Sequence, residues 1–344
     1  MVLSLPSSVS SADAATEQPP GSWQRELAAA IRDPVELCRI LGLDASVAAE
    51  AGGSAGGFPL LVPRSFVARM MPGDPRDPLL LQVLPRAAER VDVAGYVADP
   101  LREEEALAAP GLVKKYAGRA LLLVTGGCAV NCRYCFRREF PYADNGATPA
   151  GMSEALRAIA ADTSIREVIL SGGDPLLLDD SRLERIVGEI VAVPTVRRLR
   201  IHTRLPIVLP SRVTPRLVQI LGGTRLTTSV VVHANHPAEL DAAVAGALAD
   251  LAGAGVLLFN QSVLLSGVND SVETLAALSE RLLDLRVVPY YLHAPDRVRG
   301  TAHFDVPDQT AIGLHAGLKA VLPGYAVPRL VREVPGEVSK VWIG

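Results

Sequence analysis

Three cysteines lie within eight residues of one another, in the stretch GGCAVNCRYCFRREF at positions 126–140. Cys128, Cys132 and Cys135 follow the spacing C-x3-C-x2-C, and the sequence has no second cysteine pair to complete a four-ligand zinc site. Three thiolates can hold a [4Fe–4S] cluster and leave one iron open, whereas electron carriers use four cysteines. The spacing therefore indicates an iron–sulfur cluster whose open iron binds a substrate. A zinc ion completed by a nearby histidine is the alternative that the residues leave open.

The remaining cysteine, Cys38, lies in a different setting. The stretch WQRELAAAIRDPVELCRILGL (23–43) has apolar residues at helical spacing, interrupted at Pro34. Cys38 falls on the apolar side of this pattern. We therefore expect it to fill space in the core and to take no part in the chemistry.

Six strand-and-helix units follow one another in the second two thirds of the sequence. The predicted strands are 120–125, 167–172, 196–203, 227–234, 256–265 and 286–293. Helical patterns follow these strands at 150–161, 181–190, 214–221, 237–253, 271–284 and 308–321. Continuous Val/Ile/Leu runs that alternate with amphipathic stretches are typical of parallel strands covered by helices. The sequence therefore predicts an α/β fold, a partial (β/α)6 barrel that is an open relative of the eightfold TIM barrel.

Polar residues follow the predicted strands at the point where each strand ends. After the cysteines of the first strand come SGGDPL (171–176), HTR (202–204), HANHPAE (233–239), SGVND (266–270) and YLHAPD (291–296). In βα barrels the chemistry takes place at the carboxyl ends of the strands. We therefore expect all six sets to line one site.

The composition excludes several classes of function. The net charge is −3, so the chain has no basic field for nucleic acid or for an anionic membrane. No uninterrupted apolar run reaches the ~18 residues of a membrane span, and the first residues lack the pattern of a signal peptide. We expect a soluble cytoplasmic protein with reduced thiols. Its expected parts are a disordered segment (1–22), an N-terminal helical region (23–110), the barrel (111–322) and a C-terminal segment (323–344).

The cysteine motif, with Tyr134 before the last cysteine, resembles that of the radical S-adenosylmethionine superfamily. The resemblance implies the partial barrel as the fold, and an open iron that chelates S-adenosylmethionine and delivers the electron that cleaves it. A Gly-rich element of that family meets the methionine amino group, and glycine lets a chain approach a ligand closely. The matching residues here are Ser171, Gly172, Gly173 and Asp174.

The same resemblance implies further contacts to S-adenosylmethionine. Arg204 would pair with the methionine carboxylate. Three more residues would contact the sulfonium, the ribose or the adenine, namely His233, Gln261 and Asn269. Each of these residues, taken alone, is also typical of an ordinary hydrogen-bonded barrel position.

Four stretches narrow the resemblance to lysine 2,3-aminomutases: GLVKKYAGRALLLVT, CAVNCRYCFRREFPY, QSVLLSGVND and LVREVPGEVSK. The likeness is closer to the short bacterial type, which supplies β-lysine for modification of translation elongation factor P. It implies that pyridoxal 5′-phosphate is held as a Schiff base on Lys340 and contacted by Arg119 and Lys115. It also implies that Arg137 binds the substrate carboxylate. Without the resemblance, these four basic residues are equally typical of a solvated surface.

Two acidic residues clamp the distal ammonium of the substrate in that family, and they match Asp296 and Glu333 here. The resemblance therefore implies an isomerase that converts L-α-lysine to (R)-β-lysine. Glu333 is longer than the aspartate of the catabolic enzymes. Arginine is an alternative substrate, since its guanidinium also suits two carboxylates, whereas glutamate is disfavoured. A non-catalytic zinc-binding protein is the alternative from another class.

The resemblance also implies partners. These are an electron donor such as flavodoxin or ferredoxin, and the elongation factor P ligase, which receives the product. The longer enzymes of the family carry a C-terminal extension with zinc-binding cysteines, and this sequence has no cysteines to spare for one. We therefore expect no zinc and no oligomer built on such an extension.

Overall fold

A computed structural model describes residues 21–54, 57–142 and 149–343 of the chain. The segment expected to be disordered, 1–22, lies outside the described residues except for its last two. Within the described ranges, none of the helices combines the length and apolar character needed to cross a membrane.

The described residues of the N-terminal region include five α-helices, and their bounds are Ser22–Ala28 (α1), Pro34–Ile40 (α2), Ala45–Ser54 (α3), Arg64–Val67 (α4) and Pro78–Leu81 (α5). Pro34 is the first residue of α2, where a proline lacks no hydrogen bond, and Asp33 caps the helix by accepting from the Val35 N–H. The predicted helical stretch 23–43 therefore forms two separate helices, α1 and α2, and the second begins at Pro34. Cys38 on α2 is fully buried in the core, as predicted.

In the part of the chain that the structure describes, ten strands form one sheet, in the order in which they occur in the sequence. Their bounds are Leu107–Ala109 (β1), Leu112–Val113 (β2), Arg119–Thr125 (β3), Glu167–Gly172 (β4), Arg198–Thr203 (β5), Thr227–Val232 (β6), Leu257–Val263 (β7), Val288–His293 (β8), Arg329–Arg332 (β9) and Val341–Trp342 (β10). The helices between and after the parallel strands are Pro149–Ala161 (α6), Asp180–Val191 (α7), Leu205–Val208 (α8), Pro215–Gly222 (α9), Ala242–Gly253 (α10), Val272–Asp284 (α11) and Asp308–Val321 (α12).

The strands from β3 to β9 pair in parallel, and the pairs β1–β2, β2–β3 and β9–β10 are antiparallel. All six predicted strands are present, which confirms the predicted α/β fold with its mostly parallel sheet. The sheet continues beyond residue 322, because β9 pairs with β8 and β10 pairs with β9. The C-terminal segment is therefore built into the sheet. The helix expected at 237–253 begins only at Ala242, where Asp241 caps it by accepting from the Val244 N–H.

The two faces of the sheet differ in polarity. Helix α7 buries Leu183, Ile186, Val187 and Ile190, a single stripe at helical spacing. In β5 the side chains of Leu199 and Ile201 are fully buried, whereas Arg200 and His202 alternate with them and line a cavity. The inner face of the sheet therefore carries polar groups, and the site is built on that face.

Candidate functional site

A cavity of about 480 Å³ lies at the carboxyl ends of the parallel strands. It is lined by the loop after β3, by the ends of β4, β5 and β7, and by the residues that follow β6 and β8. Every predicted site residue except Asn269 lines this cavity. Five of the six polar sets that follow the strands contribute residues to this lining, whereas SGVND (266–270) does not, contrary to the expectation.

Asn269 has a different position. Its side-chain amide donates to the carbonyls of Asn235 and Val263, and its oxygen accepts from the Leu265 N–H. These bonds satisfy backbone groups at the end of β7, in the loop that follows it and in the loop after β6. The structure therefore gives Asn269 the role of holding the loop after β7, and the side chain offers no group to the cavity, contrary to the expected contact with S-adenosylmethionine.

The three cluster cysteines, Cys128, Cys132 and Cys135, lie on the loop that leaves β3 and all face the cavity. Burial, with the charge of the neighbouring Cys132, raises the pKa of the Cys135 thiol to about 11. Burial raises the pKa of Cys128 well above its ordinary value as well. A bound cation would favour the thiolate form of such a group.

Among the described residues, no three Cys, His, Asp or Glu side chains form a group that could hold one metal ion. By their number, three cysteines on one loop suit a [4Fe–4S] cluster with one open iron, whereas a structural zinc ion takes four ligands.

Ion pairs hold the cysteine loop against the N-terminal region. Arg133 and Arg138 of the loop both pair with the carboxylate of Glu89, and the Arg138 contact measures 2.8 Å. Arg133 is almost fully buried. Buried, charge-assisted bonds of this kind fix geometry. The loop is thus preformed by contacts of the protein itself.

Arg204 lies beside the same loop. Its Nη1 donates to the Cys132 sulfur at 2.8 Å, and its Nη2 donates to Gln82 at 2.6 Å and to Glu239 at 3.1 Å. The charge of Arg204 is therefore balanced by a buried glutamate. Its expected pairing with a methionine carboxylate would require an exchange of these partners.

The Gly-rich turn after β4 packs against the start of the cysteine loop. Gly172 has φ +124°, and a Cβ there would lie 2.3 Å from the Thr125 carbonyl oxygen. A Cβ on Gly173 would lie 2.1 Å from the Gly127 carbonyl oxygen. Glycine is therefore required at both positions because backbone atoms of the protein lie so close. From the sequence we had expected a bound ligand to impose this requirement.

Asp174 ties the Gly-rich turn to the end of β5. Its carboxylate accepts from the Thr203 hydroxyl and from the backbone N–H groups of Leu176, Arg204 and Leu205. Burial raises the pKa of Asp174 to about 6, although these hydrogen bonds oppose the rise. Its carboxylate is therefore committed to the wall of the cavity.

Five charged side chains of alternating sign run along the cavity wall. Lys340 Nζ lies 2.5 Å from Glu333 Oε2, and Glu333 Oε1 lies 2.8 Å from Lys115 Nζ. Lys115 contacts Glu103 at 3.0 Å, and Glu103 pairs with Arg137 at 2.6 Å. Burial opposes ionisation of Glu333, but the two lysines lower its pKa to about 2. This row of charges connects four predicted site residues with Glu103. Sequence reasoning missed Glu103, because the run REEEA is typical of a solvated surface.

Asp296, unlike Glu333, has no counter-ion among the described residues. Among the described residues, no cation lies within ion-pair distance of its carboxylate. It faces the cavity but is enclosed by protein, and this burial, together with the charge of Glu333, raises the pKa of Asp296 to about 7. A bound cationic group would therefore stabilise the ionised form of Asp296.

Several buried polar atoms of the cavity wall have no hydrogen-bond partner among the described residues. They are Tyr116 Oη, Arg119 Nε, Arg200 Nε, His202 Nε2, Arg204 Nε and His293 Nε2. Buried polar atoms are nearly always paired, so a group of unpaired ones indicates a ligand. Burial lowers the pKa of both histidines well below the ordinary value, which makes them neutral. The alternation in RLRIHT was the sequence signal for Arg200 and His202.

His233 and Gln261 lie next to each other, with 2.8 Å between His233 Nε2 and Gln261 Nε2. Burial, with the charge of Arg204, lowers the pKa of His233 to about 3. Because the amide nitrogen donates, the neutral imidazole accepts at Nε2 and carries its proton on Nδ1. The pair presents neutral polar groups between the cysteine loop and Lys340.

Comparison with known proteins identifies the family of the chain. A model of the Radical SAM superfamily matches residues 122–240. The chain is 49% identical to L-lysine 2,3-aminomutase of Escherichia coli (strain K12), over 92% of this chain and 93% of that protein. It is 43% identical to L-lysine 2,3-aminomutase of Haemophilus influenzae, over 93% of this chain and 94% of that protein. The L-lysine 2,3-aminomutase of Clostridium subterminale is 39% identical, over 80% of this chain and 66% of that protein. These relationships confirm the sequence resemblance, and the chain belongs to the lysine 2,3-aminomutase family of radical S-adenosylmethionine enzymes.

Proposed function

We propose that this chain is a 2,3-aminomutase that converts L-α-lysine to (R)-β-lysine. The observation that carries the proposal is the single cavity that joins a three-cysteine loop, a half-buried lysine and two acidic residues. The cysteines suit a cluster with an open iron, and the lysine suits pyridoxal phosphate. The acidic residues suit the distal ammonium of a cationic amino acid.

The family implies three cofactors: a [4Fe–4S] cluster, S-adenosylmethionine and pyridoxal 5′-phosphate. When bound, they supply hydrogen abstraction and a conjugated system that stabilises the unpaired electron while the amino group moves from Cα to Cβ. The cluster cysteines would hold the cluster. The Gly-rich turn Ser171–Gly173, together with His233 and Gln261, would contact S-adenosylmethionine. Lys340 would hold pyridoxal phosphate.

The unpaired polar atoms support a phosphate site near Lys340. Arg119 and Tyr116 pack on each other, with the guanidinium carbon 4.7 Å from the ring centroid, and each has a buried atom without a partner. Lys115 lies on the other side of Glu333 from Lys340. A phosphate here would gain charge-assisted hydrogen bonds from groups that otherwise lack a partner.

Glu333 has a partner that cofactor binding would remove. In this structure its carboxylate bridges Lys340 and Lys115. If Lys340 held the cofactor through its side-chain nitrogen, that nitrogen would no longer be the ammonium that pairs with Glu333. Glu333 would then be open to the substrate ammonium, with Asp296 as the second carboxylate. Two carboxylates around one ammonium favour a long cationic substrate.

We extend the proposal to the biological setting, on the sequence resemblance to the short bacterial type. The product would be passed to the ligase that modifies elongation factor P. The electron would come from a small carrier such as flavodoxin or ferredoxin. Both partners would place the chain in the cytoplasm.

The test is incubation of the reconstituted, reduced protein with S-adenosylmethionine, pyridoxal phosphate and either L-lysine or L-arginine. Chiral chromatography of the products should reveal (R)-β-lysine and a much slower reaction of arginine. Faster turnover of arginine would move the proposal to the alternative substrate. Colourless protein that binds zinc in place of iron would remove the enzyme interpretation altogether.

A further inference from the structure

The contact between Glu103 and Arg137 is not explained by the roles assigned so far. We propose that Glu103 is a positioning residue, which fixes the guanidinium of Arg137 so that it receives the α-carboxylate of the substrate. This inference rests on the proposed function, because it takes the substrate to be an amino acid whose carboxylate meets Arg137. It adds a residue of the N-terminal region to the site.

The pair has the geometry of a rigid clamp. Arg137 Nε donates to Glu103 Oε2 at 2.6 Å, and Arg137 Nη2 donates to Glu103 Oε1 at 2.9 Å. A bidentate contact of this kind fixes both the plane and the direction of the guanidinium. Glu103 is 2% exposed, so water does not compete for the contact. Burial opposes its ionisation, but Arg137 and Lys115 hold the pKa of Glu103 below its ordinary value.

The opposite edge of Arg137 faces the cavity and the Gly-rich turn. Its Nη1 donates to the Ser171 hydroxyl at 2.9 Å and to the Gly172 carbonyl at 3.2 Å. A hydroxyl can rotate and donate, so Ser171 can yield its place to a carboxylate and then hydrogen-bond to it. Glu103 holds Nε and Nη2, so Nη1 is the nitrogen that can exchange Ser171 for the ligand.

The segment that carries Glu103 also touches the other end of the site. The Val97 N–H donates to the Arg297 carbonyl at 3.0 Å, and the Arg299 N–H donates to the Val97 carbonyl at 3.0 Å. These bonds fasten the segment to the loop that follows Asp296. The same short segment therefore contacts Arg137, which is expected to receive the carboxylate, and the loop after Asp296, which is expected to bind the ammonium. Through this segment, Glu103 holds Arg137 at a fixed position relative to Asp296.

A purely structural role for Glu103 makes a different forecast. A buried ion pair can stabilise the fold without any effect on which ligand binds. Loss of such a pair would reduce the fraction of intact protein and would affect all ligands equally. A positioning role acts only on ligands that have a carboxylate for Arg137 to receive.

The experiment compares Glu103→Gln with the wild-type protein, both loaded with cluster and pyridoxal phosphate. Glu104→Gln is the matched control, because Glu104 is the next residue and is exposed. Dissociation constants are measured from the absorbance change of bound pyridoxal phosphate, for L-lysine and for 1,5-diaminopentane. The second ligand has both amines of lysine and no carboxylate. Iron and pyridoxal phosphate contents are measured on the same samples.

We expect Glu103→Gln to weaken lysine binding about tenfold or more, since it removes a charge-assisted contact that orients Arg137. Binding of 1,5-diaminopentane should stay within about twofold, as should both ligands with Glu104→Gln. An equal loss for both ligands, or no loss for lysine, would overturn the inference. Should Glu103→Gln fail to fold, Glu103→Asp gives the same test, because it keeps the charge and withdraws the carboxylate by one methylene. Failure of the wild-type protein to bind lysine would instead contradict the proposed function.

Discussion

Asp296 offers a direct test of how the site recognises its substrate. Burial and the charge of Glu333 raise the pKa of Asp296 to about 7, so the folded protein holds this carboxyl protonated below about pH 7. A substrate ammonium needs the ionised form. The carboxylate is about ten times less populated at pH 6 than at pH 8 for a pKa near 7, and lysine affinity should fall by a similar factor over that range.

Asp296→Asn should remove both the affinity and its pH dependence. Truncating one partner of a buried, hydrogen-bonded charge pair costs about 2–5 kcal/mol, which corresponds to roughly 30- to 5,000-fold in kcat/KM. The cluster and the link at Lys340 should stay intact, since Asp296 contacts neither. Asp270→Asn is the matched control, because Asp270 is exposed on the loop after β7.

The assay is the steady-state rate of β-lysine formation between pH 6 and pH 8 for the wild type and both variants. A loss below about 1 kcal/mol for Asp296→Asn would match an exposed ion pair and would refute the reasoning. So would an Asp296→Asn protein that keeps the wild-type pH dependence, because another group would then control it.

Three further results are expected. Alanine at any one of the cluster cysteines should remove most of the iron and all turnover, whereas Cys38→Ala should keep both; a colourless Cys38→Ala protein of intact fold would contradict the ligand set. Borohydride reduction and peptide mapping should place the pyridoxyl group on Lys340, and labelling of Lys115, which shares the carboxylate of Glu333, would overturn that assignment. Glu89→Gln should destabilise the fold by about 3–5 kcal/mol in urea unfolding and reduce iron retention, because it leaves two buried arginines unpaired. The control Glu184→Gln breaks an exposed pair and should change stability by less than about 1 kcal/mol; equal effects of the two variants would show that the cysteine loop does not depend on Glu89.

The strands of the barrel could be predicted because each contains a run of apolar residues, and in β4 the burial is nearly continuous. The second predicted strand, 167–172, matches β4 residue for residue, since VIL is buried on both faces and flanked by a turn. The short strands β1, β2, β9 and β10 have two to four residues each, too few to show a period. Their place in the sheet comes from pairing with neighbours that the local sequence does not reveal.

The site could be predicted in its parts but not in its connections. Residues at strand ends, such as Gln261, were found because parallel strands end at one edge. Glu103 was missed, because its role depends on Arg137, 34 residues away. The bridge from Lys115 to Glu333 spans 218 residues. Asn269 had the expected position in the sequence, but its amide donates to the backbone carbonyls of Asn235 and Val263.

The reaction that we propose for this protein moves the α-amino group of lysine to the neighbouring carbon. The most direct measurement is NMR of the product formed from L-lysine labelled with ¹⁵N at the α-nitrogen and with ¹³C at C2 and C3. We expect the nitrogen–carbon coupling to be transferred from C2 to C3 in a reaction that requires reduced protein, S-adenosylmethionine and pyridoxal phosphate. Label that stays on C2 while S-adenosylmethionine is consumed under those conditions would contradict it.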